Sequence, residues 1–152
     1  EVNMSCCRRS VSSTPGYTYI KNNVTQTWAA LGGVLQPGSI VATSSANNII
    51  VSGNSLVVTN KGTYMIDVSA IGTPGTVSST IIPTISVNGV IVSAAPVASG
   101  ATAINTEYEI KTVLSLNKGD VITITNTGAS ALNINSVDAP AYNVNILIER
   151  FN

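Results

Sequence analysis

Two glutamates raise the first chemical question. Glu107 and Glu109 stand two residues apart in a stretch, Glu107 to Leu116, that sets Tyr108, Ile110, Thr112, Leu114 and Leu116 against Glu107, Glu109, Lys111, Val113 and Ser115. On a strand this spacing puts both carboxylates on one face, where such a pair can act as the acid and base of a glycosidase or as ligands of a calcium ion. Lys111 continues that face, so the expected arrangement is a solvated charged strip. Asp120 and Asp138 fall in turn sequences without companion ligands, and Asp67 lies on the outward side of an alternating stretch, where a cross-strand Lys or Arg would pair with it. No histidine occurs in the 152 residues, which removes the Ser-His-Asp and Cys-His nucleophile systems and the commonest metal ligand. The residues point to no catalytic site, no metal and no cofactor; the expectation is a protein that is not an enzyme.

Thiol chemistry is confined to Cys6 and Cys7, adjacent in the chain and without a third cysteine to pair with. A disulfide between neighbours is strained, so oxidation would join different copies of the chain; free thiols on a tail are the alternative. Trp28, Tyr17 and Tyr19 are close in sequence and invite a sugar-stacking reading, against which stands the commoner role of aromatics in a core or interface. Asn23-Val24-Thr25 fits the N-glycosylation pattern.

Composition narrows the class. Only 9% of residues are charged, seven basic and seven acidic, and Arg8-Arg9 is the one basic doublet. A surface so neutral does not suit binding to nucleic acid or to acidic lipid. Apolar residues come in runs of two to five, far short of a membrane helix, so the expectation is a soluble protein. A chain of this length suits a single domain with its own core.

The elements that would position these residues are strands. Leu56 to Ile71 reads as strand, turn, strand about Asn60-Lys61-Gly62, with Tyr64, Ile66, Val68 and Ala70 on one face and Met65, Asp67 and Ser69 on the other. Gly53-Asn54 and Asn88-Gly89 are hairpin turns, and Pro37-Gly38 and Asn117-Lys118-Gly119-Asp120 are further turns. Gly72 to Ser79 reads as an exposed loop, and Ala94 to Asn105, small and short of charge, as a loop packed against something flat. In the last run Tyr142, Val144, Ile146, Ile148 and Arg150 share a face. Eight to ten short strands at regular spacing without an amphipathic helix argue an all-β sandwich or jelly roll over residues 16–152, preceded by a flexible arm over residues 1–15 that ends at Pro15-Gly16.

Lys61-Gly62-Thr63-Tyr64, Val87-Asn88-Gly89-Val90, Lys118-Gly119-Asp120 and Leu147-Ile148-Glu149-Arg150 occur in an order that resembles the C-terminal jelly-roll domain of BclA-type exosporium proteins of bacterial spores, within the complement-globular-head and tumour-necrosis-factor-like fold. The likeness runs from about Gly53 to Asn152. It implies a ten-stranded jelly roll that forms a tight homotrimer with an apolar threefold interface. Members of that family carry a collagen-like stalk before the head, and this sequence holds no Gly-X-Y run. In its place, Val2, Ser5 and Cys6-Cys7 have a spacing similar to the N-terminal connectors of endospore appendage, or pilus, subunits, in which an arm reaches into the neighbouring subunit and locks it. On that likeness Val2, Met4, Arg8 and Arg9 belong to the connector, and Cys6 and Cys7 are the candidates for intermolecular disulfides. An arm seated in a neighbour is a heterologous contact, which builds a fibre when the rotation between subunits does not close.

The resulting expectation is a structural subunit of a spore-surface fibre or exosporium layer, extracellular and partnered by itself and possible coat or exosporium proteins. The alternative is a trimeric adhesive head that binds a receptor or glycan.

Overall fold

The computed structural model describes residues 15–44, 48–75, 80–94, 97–98, 106–135 and 143–152. Among them are fifteen strands and no helix: β1 (Gly16–Asn22), β2 (Gln26–Trp28), β3 (Gly33–Val34), β4 (Ser39–Thr43), β5 (Ile49–Ser52), β6 (Ser55–Val58), β7 (Gly62–Pro74), β8 (Thr80–Ile81), β9 (Pro83–Val87), β10 (Val90–Ala94), β11 (Val97–Ala98), β12 (Thr106–Leu116), β13 (Val121–Asn126), β14 (Leu132–Ile134) and β15 (Val144–Arg150). They exceed the eight to ten expected because several runs are interrupted. Ile82, for example, separates β8 from β9 and gives its backbone N–H to the Asn126 side chain at 3.1 Å rather than to a ladder.

Two antiparallel sheets make the body. The seven-stranded sheet runs β2-β14-β7-β15-β1-β4 with β12 also paired to β7, and the six-stranded sheet runs β10-β9-β13-β6-β5 with β3 added to β13; β8 and β11 pair separately. Their inward faces share one apolar core. The period-two pattern of the sequence explains which residues enter it: Tyr64, Ile66, Val68 and Ala70 of β7, Tyr108 and Ile110 of β12, and Val144, Ile146 and Ile148 of β15 are all buried. Leu56, Val58, Ile85, Ile122 and Ile124 meet them from the other sheet. Each large aliphatic buried in this way contributes roughly 1.5–3 kcal/mol relative to leaving it in water.

The two expected hairpins are present. Val87 pairs with Val90 across Asn88 (φ 52) and Gly89 (φ 80), the doubly positive pair a type I′ turn requires. Ser52 pairs with Ser55 across Gly53 (φ 57) and Asn54. The strand-turn-strand stretch from Leu56 to Ile71 is also as expected along the chain, yet it is not a hairpin. β6 belongs to the six-stranded sheet and β7 to the seven-stranded one, so Asn60-Lys61 carries the chain over the edge of the sandwich. Asn117 to Asp120 makes the same crossing between β12 and β13.

Two loop expectations need correction. Gly72 to Pro74 continues β7, because β14 lies beside it with Asn133 opposite Thr73 and Leu132 opposite Pro74. Gly72 permits this approach, since a Cβ there would press on the Asn133 carbonyl oxygen. Within the stretch from Ala94 to Asn105, Ala94 closes β10, and Val97–Ala98 pairs with Ile81 and Thr80. Gly75 follows with its N–H donated to the Ala131 carbonyl at 2.9 Å, and the rest of both stretches lies outside the described residues, as do Asp138 and Tyr142.

The four sequence pieces that carry the family likeness meet in pairs. At one end Arg150 Nη2 donates to the Lys61 carbonyl at 2.7 Å, the Thr63 N–H donates to Asn152 Oδ1 at 2.8 Å, and the Phe151 N–H donates to the Thr63 carbonyl at 2.9 Å. Tyr64 donates its hydroxyl to the Asn60 carbonyl, and burial pushes that phenol above its usual range, with the nearby Arg150 charge opposing. Elsewhere Asn88 and Asp120 join the hairpin turn to the crossing turn. These pieces hold turns together.

Where ladders stop, buried amides take over. Asn126, fully buried at the end of β13, accepts from the Ile82 N–H and from the Gly128 N–H at 3.0 Å and donates to the Ser130 carbonyl at 2.8 Å. Replacing it by a similar-sized Leu strands three backbone groups. Asn126→Leu is therefore expected to lower stability by about 3 kcal/mol in equilibrium denaturation, and a loss below about 1 kcal/mol would show that water reaches these groups.

Candidate functional site

Glu107 and Glu109 lie side by side on the outward face of β12, both exposed, as the alternation required. Glycosidase carboxylates flank a bond across a cleft, and these two do not. Glu107 accepts a hydrogen bond from Ser69 Oγ at 2.5 Å. Lys111 sits opposite Asp67 in the register, and its Nζ is 2.7 Å from Asp67 Oδ2, the cross-strand pair expected for Asp67. Hydrogen bonding and charge from Asp67 hold the ammonium above its usual range, with smaller attractions from Glu109 and Glu149. Among the described residues no three acidic, His or Cys side chains converge to hold a metal ion.

The aromatic trio is divided by the fold. Trp28 is fully buried and donates its indole N–H to the Gly33 carbonyl at 2.9 Å, so it serves the core. Tyr17 and Tyr19 face outward from β1, Tyr17 at 44% exposure. The Tyr19 hydroxyl donates to Asn145 Oδ1 at 3.3 Å, and Lys21 Nζ stands 4.7 Å from the centre of the Tyr19 ring. Asn23, Val24 and Thr25 are exposed between β1 and β2.

The register gathers these outward residues into rows across the seven-stranded sheet. Lys21 lies against Asn145, Asn145 against Ser69, and Ser69 against Glu109. In the next row Tyr19 meets Leu147, Asp67 and Lys111; in the third, Tyr17 meets Glu149, Met65 and Val113. Between the rows is an open recess of about 530 Å³ with Tyr17, Tyr19 and Leu147 as its apolar part and Asp67, Glu107, Glu109 and Glu149 around it. The outward face of the six-stranded sheet is apolar without charge: Ile50 lies against Val57 and Val57 against Val121, Val90, Ile91 and Val92 of β10 are exposed, and none of its strands carries a charged residue.

This surface escaped sequence reasoning as a site because four separated segments, β1, β7, β12 and β15, build it. A signal existed: Tyr17, Tyr19 and Leu147 are large residues at positions out of phase with the core set, where an antiparallel sheet ordinarily presents polar groups. Nothing local says which strands place them side by side.

Neither a protein-family model nor a curated protein matches the chain in sequence. Solved structures match it in shape. Murine APRIL at pH 5.0 superposes with a TM-score of 0.69 at 11% identity, covering 91% of this chain and 100% of that one. Eiger TNF from S. frugiperda gives 0.63 at 12% identity, covering 91% and 92%, and pika GITRL gives 0.55 at 13%, covering 91% and 96%. The fold is a tumour-necrosis-factor-like jelly roll. At such identities the likeness concerns the fold, and function has to be argued from the surface of the jelly roll itself.

The remaining sequence candidates are structural or lie elsewhere. Val2, Met4, Cys6, Cys7, Arg8 and Arg9 are outside the described residues. Asp120 closes its turn by accepting the Asn117 N–H at 2.8 Å and the Asn88 amide at 2.9 Å. The backbone bond from Asn117, then the Asn88 bond, hold its carboxyl below the usual range. A carboxyl depressed in the folded state contributes stability that is present above its unfolded value, near 4, and is lost as pH falls through the lower folded value. Stability should therefore fall below pH of about 4, and Asp120→Asn should flatten that part of the profile; an unchanged acid limb in thermal melts of the variant would remove Asp120 as its source.

Proposed function

We propose that this chain is a non-enzymatic structural subunit of a bacterial spore-surface fibre or exosporium layer. Its jelly rolls associate as trimers through the outward face of the seven-stranded sheet, and residues 1–15 join successive assemblies as an arm, with Cys6 or Cys7 making the joint covalent. The observation that carries the reading is the group of large side chains in two neighbouring rows of that face, Tyr19 and Leu147 in one and Tyr17, Met65 and Val113 in the other, on the side of the sheet turned away from the core. The other face of the same strands already fills the core. A second apolar face on one sheet is what self-association uses. The family likeness of the C-terminal pieces supports a trimer and an extracellular, spore-surface setting, and the likeness of the Cys6-Cys7 segment supports a fibre.

Chemistry supports the non-enzymatic part of the reading. The carboxylates of the face are engaged with Lys111 and Ser69 or stand exposed beside them, and the chain has no histidine to act with them. Trimer formation closes on itself, so growth needs a second contact that does not close. The arm is the segment proposed for that contact.

Electron microscopy and mass measurement of the untagged chain without reductant test both contacts. Leu147→Asp places an unpaired charge in the middle of the face and should raise the apparent dissociation constant of the trimer about a hundredfold or more. Cys6→Ser with Cys7→Ser should leave trimers intact and yield shorter or more easily dissociated fibres. Trimers unaffected by Leu147→Asp would refute the assigned face. Discrete trimers that never join, and that bind a glycan or protein saturably, would favour the adhesive head instead.

A further inference from the structure

The proposed association face also carries most of the charge the structure places. Asp67, Glu107, Glu109 and Glu149 lie on it, four of the seven carboxylates in the sequence, with Lys21 and Lys111 as its cations. The balance is two negative charges per copy, four acidic against two basic. Every strand of the sheet enters this count: β1 contributes Lys21 with the neutral Tyr17 and Tyr19, β15 contributes Glu149, β7 Asp67, β12 Glu107, Glu109 and Lys111, and β2, β4 and β14 carry no charged residue. Arg150, beside Glu149 in sequence, donates to the Lys61 carbonyl.

The six groups are not equally engaged. Asp67 is paired with Lys111, and Glu107 holds Ser69. Lys21 lies by Tyr19. Among the described residues, Glu109 and Glu149 have the longer-range attraction of Lys111, which Asp67 already contacts at 2.7 Å. Copies that meet through this face bring those two carboxylates of each copy toward the others and out of water. Both changes favour the neutral acid over the anion.

Resting on the self-association proposed above, we propose that assembly through this face is proton-linked: the associated state binds more protons than the free chain, with Glu109 and Glu149 as the groups that take them up. The linkage has a definite sign. A state that holds more protons gains population as pH falls, by about tenfold in the association constant for each proton taken up per pH unit. Neutral or mildly alkaline conditions then loosen the joint, and mildly acidic conditions tighten it.

Sedimentation velocity of the full chain with Cys6 and Cys7 kept reduced, from pH 7.5 to pH 5.0, tests this. The apparent dissociation constant is expected to fall at least about tenfold across that range. Glu109→Gln with Glu149→Gln should be tight already at pH 7.5 and vary less than about threefold. Both side chains lie on the outer face of the sheet, so thermal melts should show an unaltered fold. Association equally strong at both pH values, or a double variant with the full pH dependence, overturns the proton linkage while leaving the face in place. A chain that stays monomeric at every pH and at high concentration overturns both.

Discussion

Everything in this molecule depends on β7 being paired along both of its edges. From Gly62 to Gly72 it runs against β12, and on its other side it meets β15 along Tyr64 to Ala70 and then β14 at Thr73 and Pro74. A strand held on two sides has no freedom to slip, because a shift by one residue would turn Tyr64, Ile66, Val68 and Ala70 out of the core and put Met65, Asp67 and Ser69 into it. The neighbours inherit that register. Position by position, it decides that Ile146 lies beside Val68 within the sandwich and that Leu147 lies beside Asp67 outside it.

With the strands fixed, the turns act as joints between the sheets. Asn60-Lys61 and Asn117 to Asp120 pass the chain from one layer to the other, and each is tied to a distant segment, the first to the C-terminal residues and the second to the Asn88 hairpin. Such ties restrain the ends of a sandwich whose middle is held by apolar packing. Buried amides complete them. Gln26 accepts the Gln36 N–H at 2.9 Å and donates to the Gln36 carbonyl at 3.1 Å, satisfying backbone groups at a place without a ladder. The result is a stiff body in which polar side chains serve the backbone and few are free for chemistry.

That stiffness gives the two outer surfaces different characters. The six-stranded sheet turns Ile50, Val57 and Val121 outward side by side, and its strands carry no charged residue. The seven-stranded sheet presents tyrosines, Leu147, Met65 and Val113 among a dense set of charges. An apolar patch with charges around it gives adhesion and orientation together, the first from removal of surface from water and the second from charge placement. Six of the ten charged residues that the structure describes lie on this one face.

The sequence by itself determined what depends on neighbours along the chain. Alternation told which residues of β7, β12 and β15 point inward, Asn88-Gly89 named its turn through the positive φ both residues tolerate, and the want of histidine closed off the familiar nucleophile systems. Tertiary structure alone decided which strands stand side by side. Leu56 to Val58 and Gly62 to Pro74 are joined by a short turn, yet lie in opposite sheets; Gly72 to Pro74 extends because β14, sixty residues later, provides a ladder. Trp28 parts from Tyr17 and Tyr19 for the same reason, since β2 and β1 sit at separate places in one sheet. A turn or a face is set by local sterics and period, whereas a pairing is set by competition among all strands for the same hydrogen-bonding edge, and no single segment holds the outcome. The outward face with its tyrosines and carboxylates is a product of those pairings.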